Sequence, residues 1–250
     1  GNHRSHFEED LVVSTWHARI LVATAMIVVT LLLLWPRTQR LHHRGPHPSQ
    51  ARLHNLVIGL NEYEYPAGHL PGAVLQSNSS SPTDLHGWQT LLLPHMEQQP
   101  LFDTIDLDRP YNDPVNLPSF RQQVEAFQNP GVDVLEDDDG LSLAHHSGNS
   151  QVIVSGRAPL RFVEITDGTS NTLGIGEIAA AYPPWGRPRN ARDPADGLNT
   201  SPRSFGGPRK GGGTQFGMLD GKVVYLNSNI DPAVLQALAS PFGGETVNLP

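Results

Sequence analysis

Twelve histidines and a concentration of carboxylates are the side chains of this sequence best equipped for chemistry, so their spacing is the first thing to weigh. A metal site built on a helix needs two imidazoles on one face, as in H-E-x-x-H, and that motif does not occur here. His42, His43 and His47 crowd a Pro- and Arg-rich stretch, and His145-His146 are adjacent and read as part of a loop. The acidic run Glu136–Asp139 before Gly140 has the composition of a calcium loop. An EF-hand, however, wants carboxylates at alternate positions and a closing Glu, whereas Leu135 fills the first ligand slot and His146 the last. The run therefore reads as a solvated acidic loop, with weak calcium binding left open. Gly174, Gly176 and Ala179 satisfy G-x-G-x-x-A, which binds a dinucleotide only where a helix opens at the glycines. Pro183 and Pro184 follow too soon for that, and a glycine-bearing strand is predicted instead. There is no G-x-S-x-G elbow, and Lys210 precedes Gly211–Gly213, the reverse of a phosphate loop. Cysteine is absent, which removes disulfides, thiolate ligands and thiol nucleophiles. No catalytic residue, cofactor or metal site is assigned, and the chain reads as a structural or binding protein and not an enzyme.

Charge and hydropathy say where such a protein sits. With 17 basic and 25 acidic residues the net charge is −8, which disfavours a phosphate-binding surface and excludes nucleic acid as a partner. From Ile20 to Trp35 the chain is apolar, broken only by Thr24 and Thr30. That run spans only about 24 Å as a helix, but Trp16 and Trp35 supply an aromatic belt and Arg19 can snorkel. Pro36 stops the helix. Residues 1–36 are thus predicted to be a tail and a transmembrane helix whose partner is the lipid bilayer, 37–49 a linker, and 50–250 one folded domain. Arg37, Arg40 and Arg44 after the span vote for an inside position, but a domain this long translocates largely regardless of charge. The expectation is a single-pass protein of the cell envelope with its C-terminal domain on the outer side.

The elements that would position any site come next. Leu53, Leu56, Val57 and Leu60 follow helical spacing from about Ser49 to Tyr63, with Ser49 placed to cap. Trp88–Met96 reads as a helix closed by Pro94, with a further turn near Pro100–Thr104, and Ser119–Phe127 reads as a helix. Gln151–Ser155, Arg161–Thr166 and Thr172–Ile178 are predicted strands. Thr214–Leu219 and Lys222–Leu226 flank Asp220-Gly221, a pair suited to a type I′ hairpin turn with two positive φ angles. Asp231 followed by Pro232 predicts the cap of a final helix carrying Val234, Leu235 and Leu238. Helices first and strands later imply an α+β fold with an antiparallel sheet.

Four stretches together resemble a large bacterial family of pilin-like proteins of unknown function. They are Ala51–Gly72 (ARLHNLVIGLNEYEYPAGHLPG), Gly87–Asn116, Asp167–Glu177 (DGTSNTLGIGE) and Phe216–Asp231 (FGMLDGKVVYLNSNID). Members of that family start with a prepilin-type methylation segment and end in a box of His, nine residues and Asp-Gly. The resemblance implies an N-terminal helix feeding a pilin-like antiparallel sheet. It implies a pseudopilin-like structural subunit of an envelope or secretion apparatus of the type II kind, with other such subunits as partners. The alternative is a surface-anchored module that binds a polysaccharide, a peptide or another extracellular polymer without assembling. On the motif, Asp167, Gly168, Thr169, Ser170, Asn171 and Thr172 form a side-chain-bonded loop, and Asp220 and Gly221 the end of the box. Lys210 stands where the box has His, and an ammonium offers donors only. The N-terminus departs too: Phe7 follows His6, and no acidic residue falls between Leu11 and Trp35, where a prepilin segment carries a Glu.

Overall fold

The computed structural model describes residues 48–77, 83–208 and 212–244. The predicted span Ile20–Trp35, nearly all of the predicted linker and Lys210 lie outside the described residues. Among the described residues, no helix is long and apolar enough to cross a membrane.

The first element is the helix α1, Pro48–Ala67. Its apolar stripe Leu53, Leu56, Val57 and Leu60 is fully buried, while Ala51, His54, Asn55, Ile58, Glu62 and Tyr65 face outward. The helix ends where Gly68 turns left-handed (φ +72°) and its N–H reaches back 2.7 Å to the Glu64 carbonyl. Short helices follow: α2 (Trp88–Leu92), running into a 3-10 turn at Leu93–Met96, then α3 (Gln99–Phe102) and α4 (Leu117–Phe120). Pro94 sits in the first turn of the 3-10 segment, just after Leu93 opens it, instead of closing a helix, because the missing proline N–H falls where it is not needed. The helix predicted over Ser119–Phe127 is broken in two, the second part being a 3-10 turn at Glu125–Phe127. The last helix is α5, Pro232–Ala239, capped as its sequence predicts by the Asp231 carboxylate on the Ala233 N–H at 2.8 Å.

Two strands, β1 (Leu75–Gln76) and β2 (Asp84–His86), pair antiparallel as a small ribbon. The main sheet has five: β3 (His146–Asn149), β4 (Leu173–Glu177), β5 (Ala191–Arg192), β6 (Thr214–Met218) and β7 (Val223–Leu226). Their order is β5-β3-β4-β6-β7, antiparallel throughout except for the β3–β5 pair. The architecture is therefore mixed helix and antiparallel sheet. Two of the predicted strands are absent: Gln151–Ser155 is a turn, and Arg161–Thr166 holds a 3-10 turn at Phe162–Glu164.

The sheet separates two apolar layers. One joins the buried stripe of α1 to Trp88, Phe120, Phe127, Trp185, Ile175 and Leu219. The other gathers Leu173, Phe205, Phe216, Met218, Leu235 and Leu238 beneath α5. Leu173 and Ile175 would share a face in a regular strand, but the register with β6 slips between them and sends each to a different layer. Helix α1 lies close on β6 because Gly217 has no side chain: a Cβ there would stand 2.4 Å from Val57 Cγ2. On the far side Arg192 is a staple, its guanidinium donating to the carbonyls of Ala180, Ala181, Pro202 and Ser204. Burial brings its pKa down to about 10, which leaves it charged at neutral pH.

Candidate functional site

At one end of the sheet the two sequence motifs meet. The loop Asp167–Thr172 is held by its own side chains: Asn171 Nδ2 donates to the Asp167 carbonyl (3.0 Å) and Thr172 Oγ1 to the Gly168 carbonyl (3.1 Å), with Gly168 at φ +84°. The hairpin between β6 and β7 bonds directly onto it, the Asp220 N–H to the Thr169 carbonyl and the Leu219 N–H to the Thr172 carbonyl, each 3.1 Å. His54 of α1 closes the corner, its Nδ1–H donating to the Gly221 carbonyl at 2.8 Å. Asp167 turns its carboxylate the other way, onto the N–H groups of Gly243 (2.7 Å) and Gly244 (2.6 Å). Ser170 is exposed. The loop is entered from a 3-10 turn and leads into β4, so it follows no strand.

The hairpin turn differs from the predicted type I′. Only Gly221 has a positive φ (+94°); Asp220 does not. The Gly221 N–H bonds to the Met218 carbonyl (2.9 Å), and the Met218 N–H to the Lys222 carbonyl (2.8 Å). That is a three-residue loop, a type I turn closed by a left-handed glycine bulge. Asp220 favours it because its carboxylate accepts the Lys222 N–H at 2.9 Å.

At the opposite end of β4 lies a buried polar cluster that sequence reasoning missed. Glu177, only 4% exposed, accepts from the Ser49 hydroxyl, from Asn129 Nδ2 (2.8 Å) and from the Gln215 N–H (3.0 Å). Ser49, predicted to cap its own helix, instead gives its hydroxyl to this carboxylate. Arg52, one turn further along α1, donates to the Gln128 carbonyl (2.9 Å) and pairs with Glu125 (2.6 Å). The root of α1 is thereby fixed both to the sheet and to the segment before β3. The strand register sets His146 opposite Glu177, so the two side chains share a face.

His146 is not in a loop, as expected, but opens β3, and both it and His145 are fully buried. Burial pushes its pKa down to about 3, with the neighbouring His145 adding to the effect and the Phe127 carbonyl opposing it. Its Nδ1–H donates to that carbonyl (3.2 Å), and Nε2 has no partner among the described residues. His145 accepts the Asn129 N–H on Nδ1 (2.9 Å) and donates from Nε2 to the Val134 carbonyl (2.8 Å), so it is neutral and of one tautomer. These groups are buried and bond to the backbone of neighbouring segments. The signal that could have found them is Glu177 itself, the one charged residue among Leu173, Ile175 and Ile178.

In the acidic loop, the Asp137 carboxylate accepts the N–H groups of Asp139 (3.1 Å) and Leu141 (2.8 Å), which is turn chemistry. No three His, Cys, Asp or Glu among the described residues are grouped to hold a metal ion. The Gly174 and Gly176 motif lies within β4, as a strand.

Residues 48–151 match the family model described as a protein of unknown function (DUF1559). The DUF1559 match runs from the root of α1 through the ribbon and short helices to the end of β3, and so takes in Ser49, Asn129 and His146. Glu177, the Asp167–Thr172 loop and the Asp220-Gly221 hairpin lie beyond it. No curated protein and no solved structure matches the chain.

Proposed function

We propose that the protein is a membrane-anchored, non-catalytic, pilin-like structural subunit of a bacterial envelope or secretion apparatus. The observation that carries this reading is the fixed root of α1. A helix of 20 residues is laid along an antiparallel sheet and tied to it at its first turn through Ser49 and Glu177. Such a joint fixes the first turn of α1 on the sheet, which suits a structural subunit. The apolar run Ile20–Trp35 and the DUF1559 match support the same reading. The test is fractionation and cross-linking of the chain in its native membranes, with a photoreactive residue at the exposed Tyr65. Retention after carbonate washing and adducts with itself or with similar subunits are expected. Recovery of the full-length chain in the soluble fraction would sink the anchor, and a membrane-bound chain without adducts would sink the assembly.

A second reading, a surface-anchored binding module, is favoured by the groove beside β7. That groove has a volume of about 670 Å³ and is bounded by the strand and by residues 227–234.

A further inference from the structure

Strand β7 is the last in the sheet, bonded to β6 on one side only. The Met218 N–H to Lys222 carbonyl bond fixes the phase of the ladder, so Lys222, Val224 and Leu226 turn their main-chain groups inward to β6. Val223 and Tyr225 then point their N–H and C=O groups at the open edge. Within β7 there is no bulge or proline, and among the described residues no helix covers that edge, so three of the common defences of an unpaired strand are missing there.

The groove along the edge has two distinct characters. Val224, Ile230 and Val234, half-buried against the α5 layer, supply an apolar floor. Lys222 stands at one end as the only charged residue in the lining, and among the described residues it makes no ion pair. The nearby carboxylates are occupied within the fold: Asp220 on the Lys222 N–H, and Asp231 on the cap of α5.

We propose that the free edge of β7 is a strand-addition site for an extended acidic peptide segment, whose main chain pairs with Val223 and Tyr225 and whose carboxylate meets Lys222. A row of free N–H and C=O groups recognises an extended polypeptide and nothing else so well. Alternation along the added strand puts its apolar side chains on Ile230 and Val234. Charge selects the acid: Lys222 is the only charged side chain lining the groove. The proposal names the ligand class for the second reading above and rests on that reading.

The test uses the full chain and a dye-labelled, capped peptide of alternating valine and threonine ending in glutamate, followed by fluorescence anisotropy at low salt. Saturable binding is expected, with slowed hydrogen exchange confined to residues 222–227. Lys222→Glu should weaken binding by about tenfold, the scale of one favourable charge pair turned unfavourable. Val223→Pro removes an outward N–H that bonds nothing within the sheet, so binding should be lost while the melting temperature is kept. If that variant melts early, Lys222→Glu and the exchange map decide. Equal binding of a peptide ending in lysine, or parent-like binding by Lys222→Glu, overturns the proposal. Protection of β7 that grows with protein concentration in the absence of peptide overturns it too, since a second copy would then hold the edge. Peptide protection elsewhere removes the β7 site but leaves the binding-module reading standing, and no outcome depends on whether the chain assembles in membranes.

Discussion

Glu177 is an acidic side chain at 4% exposure with no cation against it among the described residues, and three donors converge on it to offset its burial. Replacing it with Gln keeps the shape but turns one acceptor into an NH2 facing donors. Glu177→Gln should cost about 1–3 kcal/mol, read as a shift of the urea midpoint, with Ser49→Ala costing less because the carboxylate keeps two partners. An unchanged midpoint would mean that the cluster does not hold the helix root. His146 gives a second expectation, with a definite sign. Its folded pKa, about 3, lies below the ordinary 6.5, so the unfolded chain binds the extra proton between those values. The contribution of the neutral imidazole is therefore complete above pH 6.5 and is lost as pH falls toward 3, by up to about 1.4 kcal/mol per pH unit. Urea titrations across that window should show a shallower acid limb for His146→Gln than for the parent chain; equal limbs would contradict the burial. Glu177 stands out in the sequence only as a lone charge among apolar residues, and its partners were not legible. A lone acid has no period, and the pairing of His146 with Glu177 exists only once distant segments are in register.

The β6–β7 hairpin was legible as an element, though not as a turn type. Composition announces Asp-Gly between apolar runs, but only the pairing decides between a two-residue and a three-residue loop. The difference bears on mutation. Asp220 sits at negative φ, where Asn is tolerated; Gly221 at +94° is not so free. A Cβ there would meet Ile58 Cδ1 at 3.5 Å, an ordinary contact, so the cost of Gly221→Val comes from the backbone and not from crowding. A loss of about 1–3 kcal/mol is expected in thermal melts, and full retention of the melting temperature would refute the left-handed glycine. Elsewhere the two-fold reading failed for a definite reason. Val152, Ile153 and Val154 look like a buried strand because they are buried, yet they fill space beneath the chain: Ile153 packs under Gly148, and the Val154 carbonyl takes the Ala73 N–H. The strand lies just before them, in His146–Asn149, whose residues have poor strand propensity. Helices α1 and α5 were readable because an apolar stripe, a terminal glycine and an Asp-Pro start are local signals.

At the scale of the whole molecule, β4 ties the two ends of the described domain together. It is the central strand, with β3 on one side and β6 on the other. At its C-terminal end Glu177 grips the root of α1; just before its N-terminal end Asp167 grips Gly243 and Gly244. Asp167→Ala should therefore free the 243–244 segment without touching the helix root. Faster amide exchange at Gly243 and Gly244, with residues 49–53 unchanged, would verify this, and exchange that rises equally at both ends would refute it. The arrangement also has a mechanical meaning. Tension applied between the chain that enters at Ser49 and the segment that leaves at Gly244 is directed along the length of β4. Its hydrogen bonds to β3 and β6 lie across that pull, so for as long as the Ser49 and Asp167 side-chain bonds hold they are loaded together in shear. A tether attached at those two points should thus resist stretching far better than one that peels β7 from the edge, bond by bond.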